Sequence, residues 1–313
     1  MPRRIVGMAA AAAALALAAC NGTPEAPVHE QSLMELGADA EHLTLAQAEA
    51  DFAAGRYVGA RDKYGRLVTG YPQDNLAKLG LAESLLALGE YNGALETFHA
   101  VADDPAHRAA ALQGEGLALL AMGQVDAAGP LLADSIKADP ASWRSWNGLG
   151  QYYDRKRQWA DAGASYEHAL ASAGGSTAIV LNNQGMSLMM QKRYPEAADR
   201  FAAALQARPD LAMARGNLRL ALAWQGRYDE AIGNVSQAAA ADVLNNVGYV
   251  AMLRGDYREA QILLLRATEA SPSYNKTAWD NLRMLEAMNR KPGTVSVLTG
   301  PRQALSVAEP ASP

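Results

Sequence analysis

Small and bulky apolar positions recur along this chain at an almost fixed interval, each time just after a polar turn. Seven segments carry a turn, a bulky residue and, three positions on, an alanine: Gly55-Arg56-Tyr57…Ala60, Gly89-Glu90-Tyr91…Ala94, Gly123-Gln124-Val125…Ala128, Arg157-Gln158-Trp159…Ala162, Lys192-Arg193-Tyr194…Ala197, Gly226-Arg227-Tyr228…Ala231 and Gly255-Asp256-Tyr257…Ala260. Successive alanines lie 34, 34, 34, 35, 34 and 29 residues apart. A further apolar residue follows four positions after each (Tyr64, Phe98, Leu132, Tyr166, Phe201, Val235 and Leu264). Residues four apart share one helix face, so each copy predicts a helix that packs through a small and a larger side chain. An interval of this length holds two helices and their turns. It predicts tandem hairpins over approximately 40–74, 75–108, 109–142, 143–177, 178–211, 212–240 and 241–274. Pro72, Pro140, Pro209 and Pro272 fall at or near the end of a second helix, with Pro105 one residue early. Proline ends a helix there by removing an N–H donor and restricting the preceding residue.

Gly116, Gly150, Gly185 and Gly248 stand twelve residues before the alanine, in the middle of four of the seven predicted first helices. Glycine costs up to about 1 kcal/mol relative to alanine in a helix interior, so its recurrence implies that a side chain would block close approach. The alanine series is expected to meet that glycine across the hairpin. The sixth repeat is five residues short, and its second helix, around Asp229 to Ala240, lacks the usual tail and proline. Either the stack bends or tightens there, or a connecting loop is shortened. Asn275 to Met288 reads as a capping helix that closes the last repeat.

The period near 34 and these signature residues resemble the tetratricopeptide repeat. The resemblance implies an all-α fold, a right-handed superhelical solenoid of about seven helix hairpins plus the capping helix. It also shifts the expected function from catalysis to protein binding. The composition agrees: half the residues are hydrophobic but only 6% are aromatic, which suits closely stacked helices better than one large globular core.

The first nineteen residues read as a signal peptide. Arg3 and Arg4 form a positive n-region, and Ile5 to Ala19 an apolar h-region short for a membrane span. The segment ends Leu17-Ala18-Ala19-Cys20, directly at the only cysteine of the chain. This resembles a bacterial lipobox, which implies cleavage before Cys20 and acylation of that residue. Several acyl chains, at roughly 0.8 kcal/mol per buried CH₂, make a stable anchor. Asn21 rather than Asp follows, which by the enteric sorting rule implies export to the periplasmic face of the outer membrane. Residues 20–38 read as the lipidated cysteine and a flexible tether, 39–290 as the repeat domain, and 291–313 as a disordered tail rich in Pro, Gly, Ser and Thr. Loss of Arg3 and Arg4 takes the formal charge from −5 to about −7 without leaving any basic run. Nucleic-acid binding needs clustered Lys and Arg, so it is not expected.

Catalytic and metal chemistry is not expected either. None of the five histidines pairs with another His or a Glu at the spacing a zinc helix needs. No Gly-x-Ser-x-Gly elbow and no phosphate-cradling glycine loop occurs. No cofactor or small-molecule substrate is implied beyond the lipid on Cys20. One set of residues departs from scaffold logic: Asn183, Asn217, Asn246 and Asn281 recur at one first-helix position, with Asn182 and Asn245 beside two of them. Asparagine competes with backbone hydrogen bonds inside a helix, so its recurrence wants a reason. Facing the concave groove, such amides could bind the N–H and C=O groups of an extended peptide. Met186, Met189, Met190, Met213, Tyr249, Met252 and Met284 surround them, and methionine adapts to apolar partners. The alternative is that this asparagine is a consensus repeat residue and the methionines fill the core.

A lipobox followed by such repeats is similar to pilus-assembly lipoproteins. The segments Leu181-Asn182-Asn183-Gln184-Gly185, Gln191-Lys192-Arg193-Tyr194-Pro195-Glu196-Ala197, Ala214 to Leu222, Leu244-Asn245-Asn246-Val247-Gly248-Tyr249, Ser271-Pro272-Ser273-Tyr274 and Asn281-Leu282 resemble the tight-adherence (Tad/Flp) pilus lipoprotein family, TadD. That resemblance implies an outer-membrane lipoprotein that helps assemble or localise the secretin through which a thin pilus exits. Its partner would be the secretin or another pilus component. Alternatives are a type IV pilus pilotin and a repeat lipoprotein that scaffolds cell-wall synthases or hydrolases.

Overall fold

The structure, a computed structural model, describes residues 44–233, 235–270 and 276–289. Cys20, the tether and the tail from 291 lie outside these residues. Among the described residues all regular structure is helical, and none of the helices is long and apolar enough to cross a membrane. The fold is a tetratricopeptide-type solenoid, and its helices group into two compact units, 1–122 and 123–313.

In the first unit, α1 (44–53), α2 (Tyr57–Gly70), α3 (Asn75–Leu88), α4 (Tyr91–His99) and α5 (Arg108–Ala121) follow one another as antiparallel neighbours. Asp74 starts α3 by accepting from the backbone N–H groups of Leu76 and Ala77, at 2.9 and 3.0 Å. Gly89 ends it in the left-handed conformation, at φ +79°. Ala48, Ala60, Tyr64, Leu67 and Ala77 form a buried cluster between α1, α2 and α3. Helix α4 stops at His99, six residues before Pro105, so that proline lies in the turn into α5 and is not the helix terminator.

The second unit continues with α6 (Val125–Ala138), α7 (Trp143–Arg155), α8 (Trp159–Ser172), α9 (Thr177–Met190), α10 (Tyr194–Ala207), α11 (Ala212–Trp224), α12 (Tyr228–Ile232), α13 (Gln237–Arg254), α14 (Tyr257–Ala270) and α15 (Lys276–Asn289). The signature alanines, among them Ala128, Ala162, Ala197, Ala231 and Ala260, are fully buried. The mid-helix glycines also make room for a larger neighbour. A Cβ on Gly150 would sit 2.6 Å from the Tyr166 ring, one on Gly185 2.6 Å from Phe201, and one on Gly248 3.0 Å from Leu264. The bare backbone therefore admits the large residue four positions past the alanine, and it is this residue that needs the space.

The sixth repeat differs from its prediction for a related reason. Its second helix, α12, has only five residues, and positions 237–240, expected to prolong it, begin the 18-residue α13. With the helix cut at Ile232 there is no ring to receive, and Arg219 stands where the third, fourth, fifth and seventh repeats keep glycine. Its guanidinium donates to the carbonyls of Ala231 (2.8 Å) and Ile232, capping the stub. Burial lowers the Arg219 pKa, as expected for a cation inserted between helices.

Gly185→Ala should lose about 1–3 kcal/mol through overpacking against Phe201. Thermal or denaturant unfolding of Gly185→Ala, Phe201→Leu and the double variant tests this. The double variant is expected to be more stable than the sum of the single losses, because the smaller side chain vacates the space that the new methyl needs.

Candidate functional site

The first helices of the second unit, α7, α9, α11, α13 and the terminal α15, pack side by side. Two columns cross them at the interval of the alanine signature. One contains Asn147, Asn182, Gly216 and Asn245, and the other Asn183, Asn217, Asn246 and Asn281. The amides of three of the four second-column asparagines reach back to the helix before them. Asn183 Nδ2 donates to Asn147 Oδ1 (3.0 Å), Asn217 Nδ2 to Asn182 Oδ1 (2.9 Å) and Asn281 Nδ2 to Asn245 Oδ1 (2.9 Å). Within a helix, Asn182 Nδ2 donates to Asn183 Oδ1 and Asn245 Nδ2 to Asn246 Oδ1, both at 3.3 Å. Asn147, Asn182 and Asn245 are buried, while Asn183, Asn217 and Asn281 are half-buried. These rungs hold neighbouring first helices in register and occupy much of the hydrogen-bonding capacity that an extended peptide would use.

One rung is missing. In the register of the other rungs the position opposite Asn246 is Gly216, which offers no side chain, and a Cβ there would meet nothing within 4 Å. Asn246 is exposed, and among the described residues its one hydrogen bond to a side chain is the one it accepts from Asn245. At this place a largely apolar cavity of about 450 Å³ opens between α9, α11 and α13, lined by Met186, Met213, Gly216, Leu220, Val243 and Asn246 among others. Asn182 and Asn217 also line it. Asn183, Asn245, Asn281, Met190 and Tyr249 do not, although Met190 and Tyr249 are exposed on the same helices. Two methionines expected around the asparagines belong elsewhere: Met252 is buried in the core between α13 and α14, and Met189 packs against the Ala197–Phe201 cluster.

A second polar centre lies at Asp154, a buried carboxylate at the end of α7. It accepts from the Tyr166 hydroxyl (2.7 Å) on α8 and from the Ser187 hydroxyl (2.5 Å) on α9. Three helices are thereby tied to one group. Burial pushes the Asp154 carboxyl above its ordinary value, against the pull of these two hydrogen bonds, and burial beside it pushes the Tyr166 phenol up. A cavity of about 430 Å³ adjoins it, with Gln184, Arg193, Glu196 and Arg200 in its wall. Arg193 and Glu196 pair with each other there. Among the described residues no group of three His, Cys, Asp or Glu could hold a metal ion.

Asn147 and Gly216 are legible only when the repeat interval is applied one position ahead of the second column. For Asp154 the sequence carries no such signal, because an acidic residue near a helix end reads as surface.

Comparison with known proteins agrees with this architecture. Two tetratricopeptide repeat profiles match, one over residues 114–177, 151–212 and 182–242 and the other over 51–115. The chain belongs to the tetratricopeptide repeat proteins. It is similar in fold to a thermophilic TPR protein from Thermus thermophilus, TTC0263, with a TM-score of 0.51 and 24% identity over 61% of this chain and 98% of that one. It also resembles a chain of the APC/C hetero-tetramer Cut9–Hcn1 (TM-score 0.57, 16% identity, 80% of this chain and 50% of that one). A third similar structure is a tetratricopeptide repeat protein from Parabacteroides merdae (TM-score 0.51, 12% identity, 79% and 99%). Among curated proteins none matches the chain. Tetratricopeptide repeats generally bind protein partners, and no catalytic family is indicated.

The Asp154 carboxyl titrates higher in the folded chain than in the unfolded one, so protonating it favours folding. That contribution is fully present below the unfolded value, near 3.8, and is lost as pH rises through the raised folded value. Asp154→Asn removes the titration together with one of the two accepted hydroxyl bonds, and only the first of these losses depends on pH. Thermal unfolding at several pH values between about 4 and 7 should show the parent gaining stability relative to Asp154→Asn as the pH falls.

Proposed function

We propose that this chain is a lipid-anchored scaffold that holds an extended segment of a partner protein across its first helices, at the missing rung between α11 and α13. The observation that carries the proposal is the coincidence of an exposed amide, Asn246, with an apolar cavity flanked by the exposed Met186 and Met213. An extended chain satisfies both features, since its carbonyls accept from the amide while alternate side chains enter the cavity. The lipobox residues ending at Cys20 support anchoring at the periplasmic face of the outer membrane. The resemblance to tight-adherence pilus lipoproteins supports the secretin or another pilus component as the partner. Confinement of both proteins to one surface raises their effective concentration, so even a weak groove suffices.

Asparagines in complete rungs are poor positions for a test, because alanine at Asn182 or Asn245 breaks the rung and leaves the half-buried amide of Asn217 or Asn281 without its acceptor, which disturbs the scaffold as well as the groove. Met213, 62% exposed, is a better one. The lipidated protein, pulled from detergent-solubilised envelopes and read by mass spectrometry, is expected to recover a secretin with other pilus components. Met213→Glu is expected to lose that recovery with its helicity intact. Recovery of cell-wall synthases or hydrolases would instead assign the scaffold to wall growth, and undiminished recovery by Met213→Glu would remove the cavity from the mechanism. Cys20→Ser is expected to give a folded, soluble protein that fails to restore pilus assembly, and full complementation by it would remove the anchor.

A further inference from the structure

We infer that the cavity at the missing rung also has an occupant within the same chain: the segment Thr294–Thr299, which follows α15. The inference rests on the reading of this row of helices as a seat for extended chains, and adds to it a competitor in cis. Three observations carry it.

The first is chemical. The cavity is apolar and its facing polar groups are neutral amides, apart from Arg219, whose charge is directed to the Ala231 and Ile232 carbonyls. Residues 292–301 form a run without a charged side chain between Lys291 and Arg302. An uncharged segment enters such a cavity without leaving a charge unpaired.

The second is conformational. Within that run, Thr294-Val295-Ser296-Val297-Leu298-Thr299 is bounded by Pro292-Gly293 on one side and Gly300-Pro301 on the other. Alternating Thr, Val and Ser between such breakers favours an extended backbone. Extended, the segment places Val295 and Val297 on one face and directs its carbonyls sideways, where the Asn246 amide can donate to one of them.

The third is reach. Asn281 bonds to Asn245, so it marks the level of the missing rung on α15. The chain leaves α15 eight residues later, about 12 Å along the helix axis. The cavity lies between α11 and α13, roughly 12–15 Å to the side at ordinary helix spacing. Eight residues from Asn289 to Val297 span up to about 26 Å, which covers the diagonal. A tail seated there holds the cavity until a client displaces it.

The test uses the full chain with the photoreactive residue benzoylphenylalanine in place of Val297, mixed as isotopically light and heavy forms before irradiation. Cross-links are expected to Met186 or Met213, and within light or within heavy chains only. In hydrogen exchange of the chain without the photoreactive residue, the amides of 294–299 are expected to exchange about tenfold more slowly than in the Met213→Glu variant, whose side chain bars the cavity. Links between light and heavy chains would overturn docking in cis and seat a second copy instead. Scattered or absent links, or equal exchange in parent and variant, would overturn the proposal outright. All of these outcomes are independent of secretin recovery, so failure of the tail and failure of the client reading are distinguishable.

Discussion

Close approach of two helices over bare backbone is the constraint on which the second unit depends. Tyr166, Phe201 and Leu264 each occupy space that a Cβ on Gly150, Gly185 or Gly248 would fill. Once the large residue is seated against its own first helix, the buried alanine and its neighbours can close the hairpin, and the hairpin presents a flat row of first helices to the next. A repeat cannot bury its apolar face alone, so each contact of this kind is also a condition for the following repeat.

The sixth repeat shows what happens when that condition is dropped. No ring enters, the glycine is replaced by Arg219, and the second helix ends after a single turn with its carbonyls capped by the guanidinium. The same repeat carries Gly216 where its neighbours carry an asparagine, so the amide rung is lost at the same seam. A shortened helix and a missing rung thus fall together at the repeat where the cavity and its exposed amide lie.

Much of the fold was legible in the sequence because it is periodic. The turns, the alanine column and the capping helix all follow from residues spaced near 34 apart. Legibility failed where a contact depends on which of two periodic residues reaches a third. The mid-helix glycines mark a close approach, but that the Phe201 ring fills the space beside Gly185 depends on the direction of that side chain. The site was half legible for the same reason. Asn183, Asn217, Asn246 and Asn281 stand out as a column, but their bonding to Asn147, Asn182 and Asn245 is a relation between columns on different helices. Asp154 was not legible at all, since its burial depends on Tyr166 and Ser187 arriving from two other helices.

The stub at α12 has a mechanical consequence. In a stack of hairpins held at its N-terminal end and loaded through a segment bound near its C-terminal end, tension passes from one first helix to the next. Three of the four seams between first helices of α7 to α15 carry an amide rung across them, whereas the one between α11 and α13 does not. That seam also has the shortest second helix behind it. In such a stack this is the seam with the fewest ties across it, so, on the proposed reading, a pull on a partner seated there would change the shape of its own seat.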